Sequence, residues 1–204
     1  MTEPLDRRER AALADLLDEL GPDAATCCEG WTTAHLAAHV VVRDRRVDAM
    51  PGFGLESLPG GRTLGRWSHT VENRLRTVTP YRDVVARVRS GPPAWAPTAW
   101  PAVAALINTA EFAIHHEDAR RAQPGWAPRV LARADQDLLW RQLAGFGLMA
   151  GRRTPGGVRL RRSDVPGAER TAGGRSPSTT VSGEPLELLL WASGRRDVAR
   201  VEVG

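Results

Sequence analysis

Apolar residues return at helical spacing through most of the first 150 positions, and that periodicity restricts the architecture more than any other feature. In PLDRRERAALADLLDELG, Leu5, Ala12, Leu13, Leu16, Leu17 and Leu20 fall on one helical stripe, and Gly21 supplies a stop. A second helix begins at Thr32 or Thr33, either of which can cap it, and runs through LAAHVVVRDRRVDA to end before Pro51. Residues 50–62, rich in Gly and Pro, read as a loop. Leu64, Trp67, Val71, Leu75 and Val78 mark a third helix; Thr79 and Pro80, as cap and first position, open a short one carrying Val84, Val85 and Val88. The stretch GPPAWAPTAWP, 91–101, is expected to be irregular, with its two tryptophans packed over the domain. A helix from near Pro101 carries Leu106, Ile107, Ala110, Glu111, Ile114 and His115. A last long one, from about Ala132 to Ala150, has Leu139, Leu143, Phe146 and Ala150 on its core side.

The texture changes after Gly151. GVRLRR and VARVEV alternate apolar and polar residues as strands do, and SPSTTVSG reads as a third strand. Residues from Glu184 to Ala192 form a short helix with Pro185 near its start and Gly194 after it. The predicted class is mainly α. It comprises a helical region over 1–150, long enough for a bundle of four principal helices, and a small α+β appendage over 151–204.

Bulk properties exclude several classes. With 42% hydrophobic and 25% charged residues among 204, the chain is of ordinary globular composition. No apolar run approaches the roughly 20 residues that cross a bilayer, and the charged start MTEPLDRRER has no secretory core, so the expected compartment is the cytoplasm. The net charge of +4 is carried wholly by arginine, and the surplus lies in 151–204, with 10 Arg against 6 acids. So small a surplus, with only Trp191 as an interleaved aromatic, argues against nucleic acid as the partner. Cys27 and Cys28 are adjacent and read as reduced thiols in a loop before a helix.

Two pairs of potential metal ligands stand out: His35 with His39, and Glu111 with His115. Four-residue spacing places both members of a pair on one helix face. Glu111 and His115 lie beside Ile107 and Ile114, so both point inward, where each needs a partner. Taken alone, that pair is better accounted for by a buried Glu–His hydrogen bond that only stabilises the helices than by a metal. His39, on another helix among Ala37, Ala38, Val40, Val41 and Val42, adds a second inward imidazole. Two imidazoles and a carboxylate make a zinc site with an open position, and equally the facial set of non-haem iron.

The segments GWTTAHLAAHVVVRDRR, NTAEFAIHHEDARRAQPGW and GEPLELLLWASGRRD resemble the mycothiol-dependent maleylpyruvate isomerase-like proteins, within the wider DinB-like superfamily. The resemblance covers nearly the whole chain. It implies a DinB-like up-down four-helix bundle with an added α+β part, and it assigns metal ligation to His39, Glu111 and His115. The family's usual acidic residue before the Leu of the second helix is replaced by His35, which leaves open a fourth ligand, an outer partner or a solvent-facing neighbour. Asp118 or Glu117 could accept the other ring N–H of His115, or could instead pair with Arg120 or Arg121 at the surface. His116 points about 100° away from His115. His69 is assigned at most a place in a pocket wall. By the resemblance Arg195 contacts a substrate anion; as a cation after the final helix, it or Arg196 could equally complement the helix dipole.

The implied activity is that of a thiol transferase or isomerase. A divalent metal, zinc first with iron or nickel as alternatives, activates a low-molecular-weight thiol toward a small electrophile, and the resemblance names mycothiol as that cosubstrate. Asp118 and Arg195 are the expected auxiliary groups. The partners are then small molecules, without a membrane, and a homodimer is compatible. The rival is a non-catalytic, metal-stabilised helical protein that binds a ligand or partner. His35 separates the two, because a fourth protein ligand would close the site.

Overall fold

A computed structural model describes residues 3–45, 61–174 and 176–204, and the chain divides into two compact units, Met1–Trp126 and Ala127–Gly204. The first unit holds five helices: α1 (Leu5–Leu20), α2 (Thr33–Arg45), α3 (Gly61–Val78), α4 (Tyr81–Ser90) and α5 (Pro101–Arg121). The second holds α6 (Arg133–Arg153), four short strands and α7 (Pro185–Ala192). No helix among the described residues is long and apolar enough to cross a membrane.

Of the stripe predicted for α1, Leu5, Leu13 and Leu17 are buried, and Ala14 beside them is buried too. Gly21 ends that helix at φ +73°, a conformation that side-chain-bearing residues resist, and its N–H returns to the Leu17 carbonyl. Leu36, Ala37, Val40 and Val41 of α2, Val84, Val85 and Val88 of α4, and Phe112 and Ala119 of α5 complete one apolar core with α1. Leu75 of α3 packs against it. α5 is covered on nearly every side from Asn108 to Ala119, so it has no amphipathic stripe of the usual kind. Its polar residues are therefore buried and must find partners inside the protein.

Several expectations need correction. Pro80 stands at the N-cap of α4 rather than in its first turn. Val78 is 70% exposed and leaves the predicted stripe of α3, because that stripe runs out in the last turn. Trp95 and Trp100 are 63% and 54% exposed, so segment 91–101 is not the packed cover expected; one 3-10 turn, Pro97–Ala99, interrupts it. The expected end of the second helix, the expected loop as far as residue 60, and the side chains of Leu64, Trp67 and Leu106 lie outside the described residues; residues 61 and 62, expected in that loop, already belong to α3.

In the second unit the strands are β1 (Val158–Arg162), β2 (Glu169–Ala172), β3 (Thr179–Gly183) and β4 (Glu202–Val203), in the order β2-β1-β3-β4. β1 pairs parallel with β3, whereas the two outer strands pair antiparallel. β2, ERTA, has no apolar alternation, which is why the sequence does not betray it. α6 groups with this sheet and with α7, whereas the sequence division at residue 150 places it with the preceding helices. Gly151 of α6 and Gly173 after β2 lie backbone to backbone, an approach that a Cβ on either would obstruct.

Phe112, fully buried and capped by the Arg10 guanidinium 4.2 Å from its ring centre, is the largest side chain of the first core. Phe112→Ala is expected to cost about 3–5 kcal/mol in urea unfolding, well above the cost of most substitutions.

Candidate metal centre

The i, i+4 spacing on α5 stacks Glu111 beneath His115, while α2 presents His39 across from them. His39 Nε2 and His115 Nε2 each lie 3.2 Å from the same oxygen, Glu111 Oε1. One donor atom from each residue falls within 4.8 Å of the other two. The two imidazole rings meet nearly edge to face, 5.1 Å apart, and Trp31 packs against His39 at the same separation. The His39 and His115 side chains are 11% and 9% exposed, and that of Glu111 is 23% exposed, so solvent reaches the cluster on the carboxylate side.

The outer nitrogens are also occupied. His39 Nδ1 lies 2.8 Å from Glu72 Oε1 of α3, and His115 Nδ1 lies 2.9 Å from Asp118 Oδ2. With Nδ1–H donating to a carboxylate, each ring is neutral only if Nε2 carries a lone pair. Both lone pairs then face Glu111 Oε1, an arrangement that needs a proton or a cation between them. Arg43 adds one positive charge: its Nε is 3.3 Å from Glu111 Oε1, and it is anchored on Asn108 Oδ1 at 2.9 Å and the Ile107 carbonyl at 3.1 Å. Against Glu72, Glu111 and Asp118, one guanidinium leaves two negative charges when the rings are neutral. Two ring protons or one divalent ion would balance them, so the donor set fits such an ion.

Ionisation follows the same logic. Burial opposes charge on His39, but hydrogen bonds to Glu111 and Glu72 outweigh it and raise its pKa. Burial likewise opposes His115, yet the Glu111 charge and the Asp118 hydrogen bond hold its pKa well above the ordinary value. For Glu111, burial favours the neutral acid, but Arg43 and His115 hold its pKa well below the ordinary range.

His35 does not join this cluster among the described residues. Its Nδ1 accepts the backbone N–H of Thr32 at 3.2 Å and meets the Thr32 hydroxyl at 3.1 Å. That is the returning half of a capping box, made by His where Glu or Gln usually stands. Thr33, the other cap expected from sequence, instead donates its hydroxyl to the Gly21 carbonyl. Burial, followed by the charge of Arg76, lowers the His35 pKa, which keeps the accepting nitrogen unprotonated.

Other expectations divide. Asp118 meets His115; Glu117 instead pairs with Arg120 and Arg121, and His116 turns to Glu9 at 2.8 Å. His69, mostly exposed, reaches Glu72 Oε2 at 3.2 Å and lines a polar cavity with His35 and Glu72. Arg195 lies in the second unit, where its guanidinium donates to the Ser193 carbonyl at the end of α7; Arg196 stacks on Trp191. The Arg195 contact suits a cation at a helix C-terminus, and that of Arg196 is a cation–π contact.

Three residues at the cluster escape the sequence reading. Glu72 is buried between Val71 and Leu75, and an acid inside an apolar stripe is the signal that could reveal it. Arg43 continues the 35, 39 spacing by one more turn. Cys28 is more than an ordinary loop thiol: its Sγ is 3.2 Å from Asp118 Oδ2, and with His115 and Asp118 it forms a second compact donor group. The loop is held for this by an Ala25–Thr32 bridge, by Thr26 Oγ1 donating to the Trp31 carbonyl, and by Cys27 N–H donating to the Asp118 carbonyl at 2.9 Å.

With this geometry in hand, comparison with solved proteins is informative. The fold is similar to that of a solved mycothiol-dependent maleylpyruvate isomerase. The crystal structure bearing that name aligns over 98% of this chain and 90% of its own, at 19% identity and a TM-score of 0.58. A histidine-to-alanine mutant of the isomerase aligns over 97% and 90%, at 19% identity and 0.56. No family model and no curated protein matches the sequence. The likeness is one of mostly helical architecture with a small sheet.

The ionisation of these groups sets how the stability of the metal-free protein depends on pH. The His39 and His115 contribution to stability is whole below the ordinary imidazole value of 6.5 and is lost as pH rises through their raised values. That of Glu111 is present above 4.5 and is lost as pH falls through its lowered value. Urea midpoints should therefore be highest between these limits and should decline toward alkaline pH, a decline that saturating zinc removes. Separately, His35→Ala should cost about 0.5–2 kcal/mol through the lost cap, with metal content unchanged by elemental analysis.

Proposed function

We propose that this protein is a divalent-metal-dependent enzyme acting on a low-molecular-weight thiol, with His39, Glu111 and His115 as the metal ligands. The observation that carries the reading is the convergence of two Nε2 atoms on one Glu111 oxygen, with both Nδ1 atoms already engaged by carboxylates. Glu72 and Asp118 fix the tautomers and keep each Nε2 available as a ligand. Arg43 holds Glu111 ionised and oriented. His35 is turned to the start of α2, so among the described residues three protein ligands converge rather than four, which favours an open, reactive position over a closed structural one.

The ion would supply a positive field that lowers the pKa of a thiol brought to it, giving a thiolate at neutral pH. The chain's own residues bind, orient and shield. Trp31 packs against His39, and Glu111 is the most exposed of the three proposed ligands. The sequence resemblance, together with a fold similar to that of the isomerase, supports mycothiol as the thiol, transfer to or isomerisation of a small electrophile as the reaction, and a DinB-like up-down bundle as the scaffold. Zinc suits the nitrogen and oxygen donors and an open position; iron and nickel suit them too.

One observation favours a second reading. Arg43 sits 3.3 Å from the oxygen that would ligate the ion, and with two protonated rings the network is satisfied without metal. The cluster would then be a buried polar network in a ligand- or partner-binding protein.

Elemental analysis of purified protein separates these readings. Stoichiometric metal in the parent, lost in His39→Ala and kept in His35→Ala, is the expected result. Asp118→Asn or Glu72→Gln should weaken metal affinity about 10–100-fold while the protein stays folded by circular dichroism. A parent that takes up no metal after reconstitution with zinc, iron or nickel leaves only the polar network. Thiol-conjugation and isomerisation assays on the metal-loaded protein then test the chemistry.

A further inference from the structure

A second cavity, of about 420 Å³, lies between α2, α3 and α4 in the first unit, and none of the proposed metal ligands lines it. Its walls are apolar: Val41 and Val42 from α2, and Val71, Leu75 and Val78 from α3. Three arginines border it, Arg45, Arg74 and Arg87, one from each helix, and no carboxylate lines it among the described residues. The volume falls within the roughly 300–1,000 Å³ of small-molecule sites, which combine apolar walls with a few polar groups that fix orientation.

The charge is what gives the cavity chemical direction. Elsewhere in this unit arginines meet acids: Arg10 with Asp44, Arg89 with Asp15 and Asp18, Arg121 with Glu117. Among the described residues Arg45, Arg74 and Arg87 make no ion pair. Arg45 donates through Nη2 to Ser90 Oγ and to the Gly91 carbonyl, so its guanidinium is held in place; its Nε is buried with no hydrogen-bond partner. A buried N–H without an acceptor costs free energy, which a ligand oxygen can recover. A guanidinium also matches a carboxylate better than any other side chain does.

We propose that this cavity binds a small amphiphilic anion, a medium-length aliphatic chain bearing one carboxylate. The chain lies against Val41, Val71, Leu75 and Val78, and the carboxylate is met by the arginines. The site is independent of the metal cluster and of the reading given above: it needs neither a metal nor a thiol.

Decanoate, held below its micelle concentration and titrated by calorimetry into the full-length protein, is the direct probe. A carboxylate could also seek a metal, so the titration is run on the parent and on His39→Ala. The expected result is saturable one-to-one binding to both, with decanol and acetate each binding at least about tenfold more weakly, since each lacks one half of the recognition. Arg74→Ala combined with Arg87→Ala should weaken decanoate about tenfold or more, and Val71→Trp, which fills the cavity, should abolish binding. Circular dichroism and metal content should match the parent in both variants. The proposal is overturned by the absence of saturable decanoate binding, by equal binding of decanol, by loss of binding in His39→Ala, or by unaltered affinity in a folded Arg74→Ala/Arg87→Ala protein.

Discussion

Two hydrogen bonds, from His39 Nδ1 to Glu72 and from His115 Nδ1 to Asp118, govern everything else at the cluster. They decide which nitrogen of each ring faces inward, and so make Glu111 Oε1 a point of convergence rather than one partner in a chain. They also bring in the acids that leave the group two charges short of neutrality. Protons on the two Nε2 atoms would make up that deficit, and so would a divalent ion. The neighbouring carboxylates raise the two imidazole values against the cost of burial, and Arg43 with His115 lowers that of Glu111.

The scaffold makes such a cluster tolerable. α5 is buried on nearly all sides, and its polar residues are satisfied in different directions: Asn108 toward Arg43, His116 toward Glu9, Glu117 toward Arg120 and Arg121. A helix of that kind is costly to form alone, because it offers no continuous apolar face to drive packing. Its neighbours supply both apolar cover, through Leu13, Leu17, Val40 and Val88, and the complementary charges. Buried ion pairs return little net stability, but removing one partner is expensive, so the network fixes helix register more than it adds to the folding free energy.

The helices of the first unit were legible because their stripes repeat at 3.6 residues, and Gly21 and Pro101 mark boundaries by geometry alone. Spacing placed Glu111 and His115 on one face, and a small-residue surround marked His39 as inward. Glu72, Arg43 and Cys28 were not legible, since their roles depend on which helix or loop packs opposite them. A side chain's partner 33 or 72 positions away leaves no local periodicity to read. The pairing of α6 with the sheet was hidden for the same reason: an amphipathic stripe declares that a helix is covered, not by what. Trp95 and Trp100 misled because aromatic bulk argues for burial only where a neighbouring element stands ready to receive it.

Asp118 ends up serving three masters. Its carboxylate receives the His115 ring and the Cys28 thiol, and its main-chain carbonyl receives the Cys27 amide. One residue thereby welds the turn ahead of α2 onto the far end of α5. The posture of a metal-facing ring and the path of a surface turn cannot be tuned separately here. Whatever remodels the Cys27–Cys28 turn also reaches, in a single bond, the imidazole beside the cluster.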